Sequence, residues 1–249
     1  MERGEIQAHP TGRDDPRLAG WYHTVDLGDG LCSQGDYDLR STVDLHGLPD
    51  SLKGKTALDI GTWDGFWAFE MERRGAAVVA IDVEQWGDFD WLPWIRESKG
   101  AQVETPSDGH FWTAHEMRGS SVKRKLCNVY DLSPDSVGAF DVVFCGSLLL
   151  HLKDPLKALV NIRSVTRERA TIVTLLDEEI EQYVPGKPWV SVGHRPAESQ
   201  LGEACIYWKF STNGLQELME YAGFSHTEPL EPVPMPPTQN RSAVVVGYP

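Results

Sequence analysis

The chain has 249 residues, a formal net charge of −14, and 41% hydrophobic and 24% charged side chains, which suits one globular domain with added segments. It contains no apolar run of the ~18 residues that span a bilayer, its polar first residues lack a signal-peptide pattern, and its four cysteines form no CxxC pair. These features exclude a transmembrane protein and a disulfide or zinc scaffold, predict a cytoplasmic location, and weigh against a nucleic-acid partner.

The first fifth of the chain has little hydrophobic periodicity. Residues 1–17 are polar, with proline and paired aspartates, and are predicted to form a disordered tail. Residues 18–53 contain aromatic residues, glycine and aspartate without a repeating pattern. We interpret 1–53 as a tail and cap, followed by the main domain at 54–249.

From residue 54 onward, short β-rich runs alternate with amphipathic stretches. Strands are predicted at 56–61, 77–83, 122–127, 140–147 and 170–176, and helices from 65 to 75, from 154 to about 165, and from 211 to 223. This alternation predicts βαβ units and a parallel sheet that is covered on both faces. The runs at 224–230 and 242–248 have no helix between them and predict an antiparallel hairpin.

Two long segments, 84–109 and 177–210, interrupt this alternation. Segments of such length in a compact domain usually act as lids or binding loops, so we expect both on the substrate side. Six tryptophans in or near these segments and the cap are consistent with an aromatic-lined pocket or with ordinary core packing. They are Trp21, Trp63, Trp91, Trp94, Trp112 and Trp208.

An acid followed by two glycines forms the first candidate ligand-binding element. Asp59 ends a predicted strand, and Gly61 and Gly65 lie in the turn into the next helix. Glycine is needed where a backbone passes close to a ligand, and the acid can receive an ammonium group. Trp63 and Asp64 add bulk and negative charge where a pyrophosphate would need converging N–H groups. The pattern therefore favours a ligand with an amino group and a sulfonium over a dinucleotide.

A second acid ends the next predicted strand. Asp82 follows Asp59 by about 20 residues, the spacing at which a carboxylate binds the hydroxyls of a ribose. Either element alone is a weak signal. Their combination on successive strands predicts a nucleoside-containing ligand.

These residues resemble motifs I and II of class I S-adenosylmethionine (SAM)-dependent methyltransferases. Motif I is an acid, any residue, glycine, three residues and glycine, as found at 59–65, and Asp82 matches the acid of motif II. Residues 127–132 look like the loop that contacts adenine, and 140–155 look like motif IV. The resemblance implies SAM as the cofactor. It implies cofactor contacts from Asp59, Gly61, Thr62, Trp63, Gly65, Asp82, Val83, Asn128, Val129, Cys145 and Ser147.

The resemblance also implies a fold. This is a Rossmann-like α/β fold with a doubly wound, seven-stranded sheet in the order 3-2-1-4-5-7-6, in which strand 7 is antiparallel. We expect the N-terminal cap and the two inserted segments to lie around this sheet.

A narrower resemblance links the chain to bacterial proteins related to the tRNA wobble-uridine carboxymethyltransferase. It rests on 21–24, 37–40, 63–67 and the motif IV stretch. That enzyme holds a carboxylated SAM with a lysine before motif I and a tyrosine just before the motif IV histidine. Leu150 stands at the tyrosine position here, and the segment 28–34 has no lysine. These departures favour ordinary SAM and a small-molecule acceptor.

Methyl transfer to a hydroxyl acceptor benefits from a general base. Three histidines are candidates: His151 after the fourth strand, His23 in the cap, and His194 in the second inserted segment. Each could instead be a packed or surface histidine. Asp177 and Glu178, which follow the fifth strand, are weaker candidates for a base or metal role, and no group of His, Asp and Glu residues has a convincing metal-ligand spacing.

Three functions remain open from the sequence. The first is methylation of a small molecule at oxygen or nitrogen, as in bacterial natural-product biosynthesis. The second is methylation or carboxymethylation of a tRNA wobble uridine. The third is nucleotide binding by a Rossmann-like protein without catalysis. A monomer and a homo-oligomer are both compatible with the sequence, and we expect no membrane partner.

Overall fold

The central sheet is seen in a computed structural model that describes residues 16–108, 110–193 and 206–249. Its seven main strands pair in the order β3-β2-β1-β4-β5-β7-β6. The strands are β1 (Thr56–Ile60), β2 (Ala77–Asp82), β3 (Lys123–Leu126), β4 (Phe140–Gly146), β5 (Thr166–Leu175), β6 (His226–Pro229) and β7 (Arg241–Tyr248). Strands β1 to β5 are parallel, and β7 is antiparallel to both of its neighbours. The predicted fold and strand order are confirmed, including the C-terminal hairpin. A short strand, Val233–Pro234, also pairs with β7.

Seven α-helices connect and flank these strands in the described residues. They are α1 (Phe66–Arg73), α2 (Pro93–Lys99), α3 (Phe111–Arg118), α4 (Pro134–Val137), α5 (Pro155–Ser164), α6 (Glu178–Tyr183) and α7 (Thr212–Tyr221). Asp154 and Ser211 cap α5 and α7, because their side chains accept backbone N–H groups three residues on. The three helices predicted from the sequence are therefore present, with their expected N-termini.

The two faces of the sheet pack against different partners, as expected for a doubly wound sheet. Alternate residues of β4 point to opposite sides. Val142 and Phe144 join a buried apolar cluster with α1, α3 and the N-terminal segment, whereas Val143 joins a cluster with α5 and α7. Both faces are thus covered.

Strand β5 begins earlier than the sequence predicts. It starts at Thr166 instead of 170, because Thr166 pairs with Phe140 before a register shift in the ladder. The side chains of Arg167 and Glu168 are exposed there. Because both are charged, this part of the strand lacks the apolar residues from which strands are predicted.

The N-terminal segment from 16 to 53 contains short strands that the sequence does not predict. Trp21–His23 pairs in parallel with Gly35–Tyr37, and Asp26–Gly28 pairs antiparallel with Leu31–Cys32. Trp21 and Leu27 of these strands are buried in the same apolar cluster as α1 and α3. The predicted disordered tail lies almost wholly outside the described residues.

The two inserted segments carry secondary structure of their own. The first contains α2 between two 3-10 turns, Trp86–Asp88 and Gly100–Glu104. The second contains α6 and a ribbon in which Val190–Val192 pairs with Trp208–Phe210. In the part of the chain that the structure describes, no helix has the length and apolarity of a membrane span.

Candidate functional site

Two acids and a glycine-containing turn meet at the carboxyl edge of β1 and β2. Asp59 lies next to the end of β1, and Asp82 ends the adjacent β2. The turn is anchored to β2, because the N–H groups of Gly61 and Thr62 both donate to the Ile81 carbonyl, at 3.0 and 3.1 Å. The backbone at Gly61 has a φ of +72°, a left-handed conformation that favours glycine. This edge is where open α/β sheets bind ligands.

Gly65 is required by packing. Its φ is +88°, and an added Cβ would lie 2.3 Å from the ring of Phe69. The second glycine of the motif therefore permits close contact between the turn and α1, whereas at Gly61 an added Cβ would be 3.4 Å from Leu148.

Asp59 has a buried carboxylate with an unsatisfied oxygen. The residue is 2% exposed, and among the described residues its Oδ2 has no hydrogen-bond partner. Burial raises the pKa of this carboxyl to about 7. The neighbouring Thr62 Oγ1 is also buried. It has no hydrogen bond of standard geometry in the described chain, but it is close enough to Asp59 to oppose the rise in its pKa. Buried polar atoms in native proteins are normally satisfied, so this pair indicates a place for a polar ligand group.

Asp82 is oriented by two backbone donors. Its Oδ2 accepts the N–H of Trp63 at 2.9 Å, and its Oδ1 accepts the N–H of Val83 at 2.9 Å. Burial raises the pKa of this carboxyl to about 6. Each oxygen keeps a second lone pair, so the carboxylate can still accept two hydroxyl groups.

An aromatic group surrounds the turn at Trp63. The ring centroids of Tyr22, Trp86 and Phe89 lie 6.5, 6.3 and 6.0 Å from that of Trp63. These rings come from the N-terminal segment and the first inserted segment. Sequence analysis did not single out Tyr22, Trp86 or Phe89, because their proximity depends on long-range packing.

The other tryptophans considered from the sequence do not gather in one pocket. Trp21 is buried and stacks on His110 at 4.5 Å, and Trp208 donates to the Leu152 carbonyl. Trp91 is also buried, whereas Trp94 and Trp112 are exposed. Most of this set therefore has a structural or surface role, and Trp63 is the member beside the turn.

The ends of β3 and β4 place the remaining predicted cofactor contacts. Asn128 Oδ1 accepts the Tyr130 N–H and caps a 3-10 turn, and Val129 is buried. Cys145 lies in the core next to β1, where burial raises the pKa of its thiol. Ser147 has a φ of +50° and donates its N–H to the Val173 carbonyl. These four residues flank the same sheet edge, and their contacts with a cofactor stay predictions.

Comparison with known proteins decides the family. A family model described as a methyltransferase domain matches residues 33–228. The chain belongs to this family. The predictions of a class I SAM-dependent methyltransferase and of SAM as its cofactor are confirmed at this level.

The relatives of this methyltransferase differ in what they act on. The ubiquinone biosynthesis O-methyltransferase of Chromobacterium violaceum is 30% identical over 131 residues, 53% of this chain and 44% of that enzyme. The tRNA U34 carboxymethyltransferase of Helicobacter pylori is 23% identical over 207 residues, 83% of this chain and 70% of that enzyme. The match spans less than half of the Chromobacterium enzyme.

Solved structures show the same fold. The N-terminal domain of EvdMO1, determined with S-adenosylhomocysteine (SAH) and D-fucose, has a TM-score of 0.60 at 19% identity and covers 93% of this chain and 92% of its own. A Burkholderia thailandensis 1,6-didemethyltoxoflavin-N1-methyltransferase has a TM-score of 0.52 at 20% identity and covers 79% of this chain and 71% of its own. At these identities the likeness establishes the architecture of this methyltransferase.

The three histidines considered as bases have different settings. His151 ends a 3-10 turn after β4 and is partly buried, next to the buried Leu150. His23 Nδ1 lies 2.8 Å from Asp64 Oδ1. His194 lies outside the described residues. Asp177 caps α6, because its Oδ1 accepts the Ile180 N–H, so its carboxylate has a structural role.

A polar hub ties the first inserted segment of this methyltransferase to the motif IV region. Asp90 Oδ2 accepts the Tyr130 hydroxyl at 2.7 Å and the Lys153 N–H at 2.6 Å, while its Oδ1 pairs with Lys153 Nζ at 2.8 Å. Burial and the nearby Asp90 raise the pKa of Tyr130. The Asp90 carbonyl also accepts the Tyr207 hydroxyl from the second inserted segment. Sequence analysis missed this hub, since no local pattern links residues so far apart.

Proposed function

We propose that this chain transfers a methyl group from SAM to a small-molecule acceptor. The observation that carries the proposal is the pair Asp59 and Asp82 at the ends of adjacent parallel strands, separated by the turn that begins at Gly61. One acid has a buried, unsatisfied oxygen, and the other is oriented by two backbone N–H groups.

The residues at this edge fit the parts of SAM. The Asp59 carboxylate suits the ammonium of the amino-acid part, because the ammonium would donate a hydrogen bond to its unsatisfied oxygen. Asp82 suits the two ribose hydroxyls. Gly61, in its left-handed conformation, keeps the turn free of a side chain beside the ligand. We expect Val83, Asn128 and Val129 to contact the adenine.

SAM supplies an electrophilic methyl group on a sulfonium when it is bound. The chain's own part is to hold the acceptor atom ~3 Å from that carbon and in line with the breaking bond. A hydroxyl acceptor must also lose a proton, for which His151, His23 and His194 remain the predicted candidates. Aromatic rings around Trp63 would exclude water from this region.

A small acceptor is supported by the charge of the chain and by its structural neighbours. The net charge of −14 is unfavourable for binding the phosphate backbone of a nucleic acid such as tRNA. The EvdMO1 domain was determined in the presence of D-fucose, and the Burkholderia enzyme with bound 1,6-didemethyltoxoflavin. We propose O- or N-methylation of a compound in this size range, as in natural-product biosynthesis.

tRNA methylation is the second candidate, and the carboxymethyltransferase relative favours it. The short basic cluster in β3 gives it limited support. Lys123 and Lys125 are exposed, but the Arg124 guanidinium lies over the ring of Phe111 at 5.9 Å and donates to the Val83 carbonyl. Two exposed lysines on one strand form a small patch compared with what a tRNA needs.

Mass spectrometry of reaction mixtures tests the proposal. Small hydroxyl and amine compounds, and unmodified tRNA in parallel, are incubated with SAM and either the wild-type chain or Asp82→Ala. We expect a small molecule whose mass rises by one methylene with the wild type, and SAH in equal amount. Modification of tRNA alone would favour the second candidate, and no product from any class would support nucleotide binding without catalysis.

A further inference from the structure

The imidazole of His23 is held against the motif I turn by a carboxylate that lies inside the protein. Asp64 is 0% exposed, and its Oδ1 lies 2.8 Å from His23 Nδ1 while its Oδ2 accepts the His23 backbone N–H at 2.7 Å. The same carboxylate also accepts the Phe66 N–H at 3.4 Å. A buried carboxylate that binds both the ring and the backbone N–H of the same residue holds this histidine in one orientation.

The ring of His23 is confined so that one polar atom remains available. Phe66 stacks on it with centroids 5.0 Å apart, and Tyr22 packs edge-on at 4.6 Å. The side chain is 12% exposed. Among the described residues, Nε2 has no hydrogen-bond partner. The constrained ring therefore presents one nitrogen to whatever occupies the neighbouring space.

That space adjoins Asp59. His23 is hydrogen-bonded to Asp64 in the turn that follows Asp59, and in agreement with this placement it opposes the rise in the pKa of Asp59 that burial causes. The other charged groups facing this region are the carboxylates of Asp64 and Asp82. His46 is also near, but burial lowers its pKa to about 4, so it is neutral at physiological pH. His23 can bind an anion brought beside Asp59, because an imidazolium donates from both ring nitrogens, from Nδ1 to Asp64 and from Nε2 to the anion.

An amino-acid ligand brings such an anion, because its carboxylate and ammonium are attached to the same carbon. With the ammonium at Asp59, the carboxylate must lie within a few ångströms, in a region that already holds three carboxylates. Burying it there without a cationic donor would be costly. We propose that His23 Nε2 donates to the α-carboxylate of SAM, and that Asp64 is the positioning residue that holds His23. This inference rests on the proposed function.

The proposal differs from the prediction that His23 is the general base. A carboxylate-binding His23 acts on the amino-acid part of the ligand and changes cofactor affinity. A base acts on the acceptor and changes turnover at unchanged cofactor affinity. Binding measurements therefore separate the two roles without knowledge of the acceptor.

The test is calorimetric titration of two ligands, SAH and 5′-deoxy-5′-methylthioadenosine, which lacks the amino-acid part. His23→Asn keeps an N–H close to the Nδ1 position, and with it the Asp64 contact, but removes Nε2. His23→Gln restores a donor near the Nε2 position. His226→Asn, at an exposed position of β6, is the matched control.

We expect His23→Asn to weaken SAH binding at least about tenfold, the effect of losing a charge-assisted hydrogen bond, and to leave methylthioadenosine binding within about twofold. His23→Gln should recover part of the SAH affinity, and His226→Asn should change neither ligand. Unchanged SAH affinity in His23→Asn, or equal losses for both ligands with no recovery in His23→Gln, would overturn the inference while leaving the proposed function intact. A wild-type chain that binds neither ligand would overturn both.

Discussion

The cofactor edge and the inserted segments are built in different ways. At the cofactor edge, the turn from Gly61 to Trp63 is fixed by backbone hydrogen bonds to Ile81 and Asp82 on the next strand. The inserted segments are held by side chains that meet across the fold, above all at Asp90. The difference indicates that the proposed cofactor site is fixed by backbone hydrogen bonds between adjacent strands. The inserted segments, predicted to lie on the acceptor side, can change by side-chain substitution without disturbing the turn.

The largest expected contrast is between two glycines with the same backbone conformation. Gly61 has a φ of +72° and Gly186, in the second inserted segment, a φ of +70°. A valine at either position strains the backbone, by about 1–3 kcal/mol. We expect Gly61→Val to reduce SAH affinity more than about a hundredfold, because its side chain would enter the space assigned to the amino-acid part of the ligand.

Gly186→Val is the matched control, since an added Cβ there meets no atom within 4 Å. Calorimetry should show near wild-type SAH affinity for this variant, and thermal unfolding should report comparable strain in both. Equal SAH affinities in the two variants would show that the motif I turn does not contact the cofactor.

The second contrast compares two aspartates that each accept several hydrogen bonds. Asp82→Ala should weaken SAH binding by roughly 2–3 kcal/mol, through loss of the bonds to the ribose hydroxyls. Asp90→Ala removes a similar number of bonds from the first inserted segment. We expect it to change SAH affinity less than about threefold and to alter acceptor KM instead. A larger loss of SAH affinity in Asp90→Ala than in Asp82→Ala would reverse the assignment of the two regions.

The third prediction concerns stability as a function of pH. The pKa of Asp59 is raised to about 7 in the folded state, so the folded protein favours the protonated carboxyl. The stabilisation from this proton is fully present below about pH 4 and is lost as the pH rises to about 7. Asp59→Asn removes this titration. We expect its unfolding free energy to exceed that of the wild type by about 4 kcal/mol at pH 8 and by much less at pH 4, although it binds SAH more weakly.

Chemical denaturation at the two pH values checks this prediction. If the difference in unfolding free energy between variant and wild type does not grow with pH, Asp59 is already ionised at pH 4. Its carboxylate then has a stabilising partner in the folded protein. The inserted segments provide the comparison, since Asp90→Asn removes a carboxylate that is already paired with Lys153 and should lower stability at pH 8.

Much of the fold follows from the sequence, because it depends on local signals. The alternation of apolar runs with capped helices predicts the strands, and Asp154 and Ser211 mark helix starts. The same holds for Asp59 and Asp82 at their strand ends. These features are specified by neighbouring residues and by the geometry of parallel sheets. The order of the strands comes from the resemblance to class I methyltransferases, and the structure has the same order.

The parts that sequence analysis missed depend on contacts between distant residues. Asp64 is separated from His23 by 41 positions, and Tyr207 from Asp90 by 117. The short strands of the N-terminal segment form because they pack on α1 and α3. Their sequence has no alternation of apolar and polar residues from which a strand could be predicted. Propensity and periodicity cannot report such tertiary contacts.

The smallest expected effect concerns the choice between SAM and its carboxylated form. Leu150 is buried where the carboxymethyltransferases place a tyrosine, and Lys153 is already paired with Asp90. An additional carboxylate on the transferred group would therefore lack a partner. We expect SAM to bind at least about tenfold more tightly than carboxy-SAM, ~1.4 kcal/mol. Tighter binding of carboxy-SAM in competition titrations would promote the tRNA candidate.

Titration of SAH and NAD into the wild-type chain tests the central claim most directly. The claim is that the edge formed by Asp59, the Gly61 turn and Asp82 is a SAM site. Calorimetry should show SAH binding at one site per chain with micromolar affinity and no measurable heat from NAD, because the turn lacks the converging N–H groups that a pyrophosphate needs. Absence of SAH binding, or NAD binding as tight as that of SAH, would contradict this account.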